Sequence, residues 1–268
     1  ICKKKLENTV HTYRCENGHS YDISAQGYVH LLPPNKMHSK IPGDNRQMVA
    51  CRREFLETGL YLPFSNQLND LVEEAIEHKT QPVVVDAGCG EGYYTGRVKA
   101  HLDALGIQAE FAGFDISKFA VKAAAGRHKG IDFAVASLFH IPCAAESADV
   151  LTDVFAPIVP AEFHRVLKPG GTMILAVPGA RHLYGMKEVL YDAPYENEEH
   201  GTDYEGFEFL GGESVRREIT VEGAENIEAL FSMTPYYWKT DVAGGERLRR
   251  LNTLETEIKF RFLVYRRR

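Results

Sequence analysis

The sequence holds no apolar run long enough to cross a bilayer. Its visible start shows no basic segment followed by an apolar one, the mark of a secretory signal. Cysteine is scarce: five in 268 residues, an odd count and too few for a disulfide scaffold, so a reducing cytoplasm is the expected setting. Repeats and low-complexity tracts are lacking, and hydrophobic and charged fractions of 44% and 25% exclude a fibrous or disordered chain. An excess of positive charge is missing too. The formal net charge of −6 argues against binding nucleic acid over the whole surface, but leaves room for a local basic patch. Basic residues do cluster, at 3–5, at Arg52 and Arg53 and at 266–268, while acid gathers in YENEEHGTDYEGFE over 195–208.

What is present falls into three parts. Residues 1–32 are polar, Cys/His-bearing and rich in Tyr and Gly, and read as short strands and turns of a small module. Residues 33–80 read as a connector leading to the core: the proline-rich LLPPNKMHSKIPGDN (31–45) as an exposed loop, then helices over 46–58 and 65–77. From 81 to 268 the pattern alternates. PVVVDAG (82–88) is β-branched and apolar up to its Asp, as in a strand buried on both faces of a parallel sheet. Further strands are expected at 109–115, 131–137, 148–157 and 172–178, with helices at 93–105 and 118–127 and through AEFHRVLKPGG, ending at Gly170. A polar strand at 215–222, a helix at GAENIEALF and a closing strand at 258–266 finish the chain. This spacing predicts an α/β fold, a doubly wound and mostly parallel sheet with an antiparallel last strand.

The main chemical signal is DAGCGEGYY, 86–94, at the exit of the first buried strand, where open α/β sheets bind ligands. Gly88, Gly90 and Gly92 let the backbone turn tightly and approach a ligand closely. A dinucleotide fingerprint would need its third glycine at 93, and that residue is Tyr93. The form present, with Asp86 two before the first glycine, resembles instead the first motif of class I S-adenosylmethionine-dependent methyltransferases. Asp115 ends the next strand in AGFDIS; a carboxylate there suits both ribose hydroxyls of a nucleoside cofactor, or else caps the following helix. Ser137 and Leu138 end the third strand, where the adenine of such cofactors lies. LKPGG (167–171) also matches the methyltransferase pattern, and reads equally as a helix C-cap with a Pro–Gly turn.

At the front, Cys2-x12-Cys15-x3-His19 has tetrahedral zinc spacing for three of four ligands. A cysteine two intervening residues before Cys2, upstream of Ile1, is the expected fourth. The alternative is two buried structural thiols and a surface His. Cys51, Cys89 and Cys143 read as structural.

CENGHSYDISAQGYVHLLP, PGDNRQMVACRREFLETGLYLP, DAGCGEGYYT, VFAP and VPGARHL together resemble, collinearly and over nearly the whole chain, the bacterial 23S rRNA (guanine-N1)-methyltransferase family. The acidic stretch near Tyr195 is the weakest part of the resemblance. The resemblance implies a Rossmann-like class I methyltransferase domain with an N-terminal zinc-binding module. Its implied activity is transfer of a methyl group from S-adenosylmethionine to N1 of a guanine in a 23S rRNA hairpin. It further implies one zinc on Cys2, Cys15, His19 and the upstream cysteine, and a homodimer. Implied cofactor contacts are Gly88, Gly90 and Glu91 in the loop, Asp115, Ser137 and Leu138, with Tyr61 in GLYLP and His182 in ARHL; Asp86 and Gly92 of the same motif are counted with the cofactor-binding residues. Simple packing is the other reading of Tyr61, and a helix-start polar residue that of His182. Members divide between neighbouring guanines of one hairpin, and one branch is associated with macrolide resistance.

On the acceptor side, Phe155 in VFAP is the candidate wall of the base pocket. Asp153 and Glu91 are the carboxylates nearest in sequence logic to take the guanine N1 proton, and on an alternating strand Asp153 shares a face with Phe155. Tyr236, Tyr237 and Trp238 read as core or as a stacking platform for RNA bases. Two rivals stand beside this reading: a small-molecule methyltransferase, with no need of the zinc segment, and a zinc-bearing RNA-binding protein without transfer activity.

Overall fold

The computed structural model describes residues 2, 4–33, 35, 39, 42–199 and 201–268; the expected exposed loop at 31–45 falls in part outside them. Three short strands, β1 (Glu7–Thr9), β2 (Thr12–Arg14) and β3 (Ser20–Asp22), form a small antiparallel sheet in that order. The turn between β2 and β3 is closed by Cys15 N–H on the His19 carbonyl (3.1 Å) and Gly18 N–H on the Cys15 carbonyl (3.0 Å). The next strand, β4 (Val29–His30), leaves this sheet. It pairs parallel with β7 (Asp132–Val135), and Leu31 N–H extends the ladder to the Val135 carbonyl (2.9 Å). The end of the 1–32 segment is therefore an edge strand of the main sheet.

That sheet also contains β5 (Val83–Ala87), β6 (Glu110–Asp115), β8 (Ala148–Val154), β9 (Leu167–Pro178), β10 (Phe207–Glu222) and β11 (Thr253–Arg267), in the order β10-β11-β9-β8-β5-β6-β7-β4. Strands from β4 to β9 run parallel, and β11 lies antiparallel between β9 and β10. This is the expected doubly wound sheet with an antiparallel last strand. The order reverses at β5, so the carboxyl ends of β5, β6 and β8 frame a crevice suited to a ligand. Val85, Val150 and Leu151 on the central strands are wholly buried, which explains their unbroken apolar run. α1 (Arg46–Glu57), α2 (Leu62–Ile76), α3 (Tyr93–Ala104), α4 (Lys118–Arg127) and α7 (Ala224–Ser232) share one core cluster, while α5 (Pro160–Val166) packs into the other. Asn45 starts α1 by accepting the Met48 N–H (3.0 Å), and Ser117 starts α4 by accepting that of Ala120 (3.2 Å).

The LKPGG segment departs from expectation. The helix before it stops at Val166, and residues 167–171 enter β9, where the ladder slips between the pairs Ala148/Leu167 and Val150/Thr172. Asp149 supplies the reason. Its buried Oδ2 accepts both the Lys168 ammonium (2.6 Å) and the Val83 N–H (3.0 Å), drawing Lys168 into line with the sheet and tying β5, β8 and β9 at one end. The closing hairpin is also longer than the sequence pattern indicates, with β10 and β11 paired from Phe207/Arg267 to Glu222/Thr253. Between these strands lie α7, α8 (Tyr236–Lys239) and α9 (Val242–Arg249). Because Asp149 is buried and tied to both Val83 N–H and Lys168, Asp149→Ala is expected to destabilise the fold by about 1–3 kcal/mol in urea unfolding; no change would remove Asp149 from this role.

Candidate active site and zinc site

The loop after β5 is shaped by backbone bonds to β6: Gly88 and Cys89 N–H both reach the Phe114 carbonyl (2.8 and 3.0 Å). Gly88, Gly90 and Gly92 all have positive φ (+87°, +54° and +83°), a region that L side chains avoid. Their surroundings differ. A Cβ on Gly88 would stand 2.3 Å from the Ala156 Cβ, and one on Gly92 2.9 Å from that of Ala124. At Gly90 the space is open, among the described residues, except for one Arg52 nitrogen at 3.5 Å. Gly88 and Gly92 thus serve close packing, and Gly90 forms the open floor of a cradle.

Three acids surround the loop, each with its own task. Asp86 is buried and engaged on both oxygens, by the hydroxyls of Thr95 from α3 and Thr152 from β8 (3.2 Å for the latter). Burial pushes its carboxyl up to about 6 against these two hydrogen bonds. It braces the loop from below. Asp115 accepts Gly90 N–H on Oδ2 (3.0 Å) and Ser117 N–H on Oδ1 (2.7 Å), and each oxygen keeps a further lone pair. Burial raises its pKa, and those two N–H groups act the other way. Ser117 has taken the helix cap, so Asp115 is left for the ligand side. Glu91 is paired through Oε2 with Arg127 of α4 (3.1 Å), which also holds Glu57 of α1 (2.8 Å). Its Oε1 is buried with no hydrogen-bond partner among the described residues. Ser137 caps the short turn Leu138–His140 through the Phe139 N–H (3.3 Å), and Leu138 packs below Gly88.

At the end of β8 the structure overturns one expectation. Phe155 has φ +57°, a strained position for a side chain. The turn carries its ring to the opposite face from Asp153. There it stacks on Phe64 (5.6 Å, 16°) and on His182 (6.1 Å, 20°). Asp153 is paired in register with Ala87 and Leu175, which belong to the α5-side cluster, whereas Phe64 belongs to the other. Its Oδ1 accepts the Ala156 N–H (3.2 Å) and so holds the Phe155 turn. Its Oδ2 is buried without a partner among the described residues, and burial pushes the carboxyl up to about 7. Glu91 turns its Oε2 to Arg127 of α4, on the β6 side of β5. Asp153 thus does not present its carboxylate at the ring.

His182 and Tyr61 join the same aromatic group. His182 Nδ1 accepts the Lys259 N–H (3.3 Å), its ring lies 4.7 Å from Phe260, and burial pushes its pKa down to about 3, so it is neutral at ordinary pH. Tyr61 is buried edge-on against Phe55 (5.0 Å) and Phe260 (4.9 Å), 6.3 Å from His182. Sequence reading missed Phe64 and Phe260, and also the clamp on the acidic stretch. Buried Lys187, on α6 (Tyr184–Leu190), donates to the Tyr195 carbonyl (2.9 Å) and to Asn197 Oδ1 (2.7 Å). Asn197 in turn donates to the Gly179 carbonyl (3.0 Å), fastening this stretch to the loop that carries His182. Of the aromatic trio, Tyr236 hydrogen-bonds Asn197 (3.2 Å), Tyr237 packs on Phe231 (5.3 Å), and Trp238 is exposed.

In the N-terminal module the Cys2 and Cys15 sulfurs lie 3.6 Å apart, and Cys15 Sγ lies 3.2 Å from His19 Nδ1. All three ligand atoms fall within 4.8 Å of one another. With Zn–S bonds of 2.3 Å a tetrahedron has edges of about 3.8 Å, so the trio fits three corners of a zinc site.

Residues 1–40 match a zinc-ribbon family described as RlmA, N-terminal, and residues 78–220 a methyltransferase domain family. The chain is 32% identical over 245 residues to the 23S rRNA (guanine(748)-N(1))-methyltransferase of Streptomyces fradiae, covering 90% of this chain and 85% of that protein. This chain belongs to the 23S rRNA (guanine-N1)-methyltransferase family. A second relative, from Micromonospora griseorubida and provisionally named for the same activity, is 34% identical over 247 residues, covering 86% of this chain and 81% of that one. Among solved structures, a provisionally named methyltransferase of Bacillus halodurans has a TM-score of 0.48 at 17% identity, over 75% of this chain and 98% of that one. Membership makes S-adenosylmethionine the methyl donor and zinc the metal of the front module. The open Gly90 cradle, the spare lone pairs of Asp115 and the Cys/Cys/His trio fit both.

Asp153 gives a pH-dependent test. Its raised folded pKa means that its stabilising contribution is present below the unfolded value of 3.8 and is lost as pH rises toward about 7. Asp153→Asn removes that loss. Its melting temperature relative to wild type should therefore climb between pH 4 and pH 8; a constant difference would contradict the buried carboxyl.

Proposed function

We propose that this chain transfers the methyl group of S-adenosylmethionine to N1 of a guanine in 23S rRNA. The observation that carries the reading is the Phe155 turn. It sets a ring that is 43% exposed beside the glycine loop, with Ala156 of the same turn touching Gly88. Support for the RNA comes from the zinc-ligand trio and from what the two named relatives are said to modify. The scarcity of cysteine supports a cytoplasmic setting; among the described residues no helix is long and apolar enough to cross a membrane. A homodimer belongs to the reading on the family resemblance alone.

The sulfonium of the bound cofactor supplies an already activated methyl group, so the protein's work is placement and exclusion of water. The loop floor at Gly90, the Asp115 carboxylate, and Ser137 with Leu138 seat the nucleoside end. An acceptor guanine must first leave its stack, at a cost of a few kcal/mol. The free face of Phe155, backed by Phe64 and His182, offers a surface that recovers part of that cost by stacking. His182 is neutral and accepts at Nδ1, so its Nε2 carries the proton and acts as a donor, not as an acid or base. Asp153 acts by holding the turn.

Incubating the protein with labelled S-adenosylmethionine and protein-free 23S rRNA should place label on N1 of one guanine; rRNA without label would overturn the reading. Phe155→Ala should slow single-turnover transfer by roughly 10- to 100-fold, the equivalent of about 1–3 kcal/mol of lost stacking, while leaving cofactor binding in place. Asp153→Asn keeps the acceptor for Ala156 N–H, so transfer should stay within a few-fold of wild type. A drop of 10²–10⁴-fold, the usual effect of losing a general base, would make the carboxylate that base.

A further inference from the structure

One guanidinium on the connector reaches the cofactor loop. Arg52 sits on α1 and its side chain is 28% exposed. Nη1 is paired with the Asp44 carboxylate, and Nη2 donates to the Met233 carbonyl (3.3 Å). These partners engage only part of its five N–H donors. Asp44 is itself fixed, since its carbonyl accepts the Ser117 hydroxyl (2.6 Å), and Ser117 adjoins Asp115 through its own N–H. Among the described residues, the loop's own neighbours aside, Arg52 Nη1 is also the one atom within 4 Å of the place a Gly90 side chain would fill, at 3.5 Å. The guanidinium therefore faces the glycine loop across open space. Asp44, Glu91 and Asp115 surround that space with acid; burial raises the pKa of both Glu91 and Asp115, and the Arg52 charge works against that rise at each.

The strand order says what should meet it. The proposed function seats the ribose at the end of β6 and the transferred methyl at the end of β8, and β5 with its glycine loop lies between them. The amino-acid tail of S-adenosylmethionine springs from the sulfonium, between those two points. Its carboxylate needs a cation on the loop side, and carboxylate is the group Arg52 already holds in Asp44. We propose that Arg52 anchors the carboxylate of the cofactor's amino-acid tail, with Asp44 as the positioning residue that sets the guanidinium's direction. The proposal rests on the methyltransferase reading above.

Equilibrium binding to the full chain, followed by calorimetry, separates the two. S-adenosylhomocysteine carries the tail; 5′-methylthioadenosine has the same nucleoside and thioether without it. Arg52→Gln should weaken S-adenosylhomocysteine by roughly 10- to 100-fold, as for loss of hydrogen bonds to a charged group, and leave 5′-methylthioadenosine within about twofold. Asp44→Asn should weaken only S-adenosylhomocysteine, and by less. Equal losses for both ligands would show that Arg52 acts through the fold, and no loss for either that it touches neither; each result overturns the anchor alone. Wild type binding neither ligand would remove the cofactor reading and the anchor with it.

Discussion

A carboxylate almost shut off from water holds this site together. Asp86 joins the exit of β5 to α3 and β8 through two threonine hydroxyls, and the loop above it has little freedom left. It must climb from the strand, turn against Phe114 of β6 and enter α3 within a few residues, which is why left-handed glycines stand at every second position. Burying a charge is unfavourable unless hydrogen bonds satisfy it, and the raised pKa of Asp86 records that tension. The acid of the motif is thus a brace, and the groups left open toward the crevice are the Asp115 carboxylate and the backbone at Gly90.

The second constraint is crowding between the glycine loop and the β8 turn. Ala156 occupies the place a side chain at Gly88 would need, so the turn can come down onto the loop and expose Phe155 beside it. A residue with positive φ in that turn is strained, and strain of this kind persists only where neighbours over-determine it. Here Asp153 fixes the turn from one face of the sheet, while Phe64, Phe260 and His182 receive the ring on the other. The clamp of Lys187 and Asn197 then steadies the His182 loop with a stretch whose acidity alone reads as solvated surface.

Local pattern made much of this legible. β-branched runs marked the buried strands, the glycine spacing separated one cofactor class from another, and the Cys/His spacing marked the front module. What escaped was long-range or conformational. No propensity signals a left-handed Phe155, so alternation placed Asp153 and Phe155 on one face. The Asp149 contact with Lys168 joins residues far apart in sequence and turns a helix-ending LKPGG into the start of a strand. Thr95 and Thr152 carry no mark in the sequence that they meet Asp86, and Arg52 reads there as one half of a surface charge pair.

The short strand β4 has a further consequence for how the two parts of the chain can be handled. Its pairing with β7 means that the zinc-bearing segment supplies the outermost rung of the catalytic sheet. Cut away, it would leave β7 as a bare edge with unpaired backbone donors and acceptors, the kind of border along which sheets join other chains. The ribbon is therefore not a detachable bead on a string. It is also a seal, and swapping it for another recognition module would require a replacement that closes the same edge.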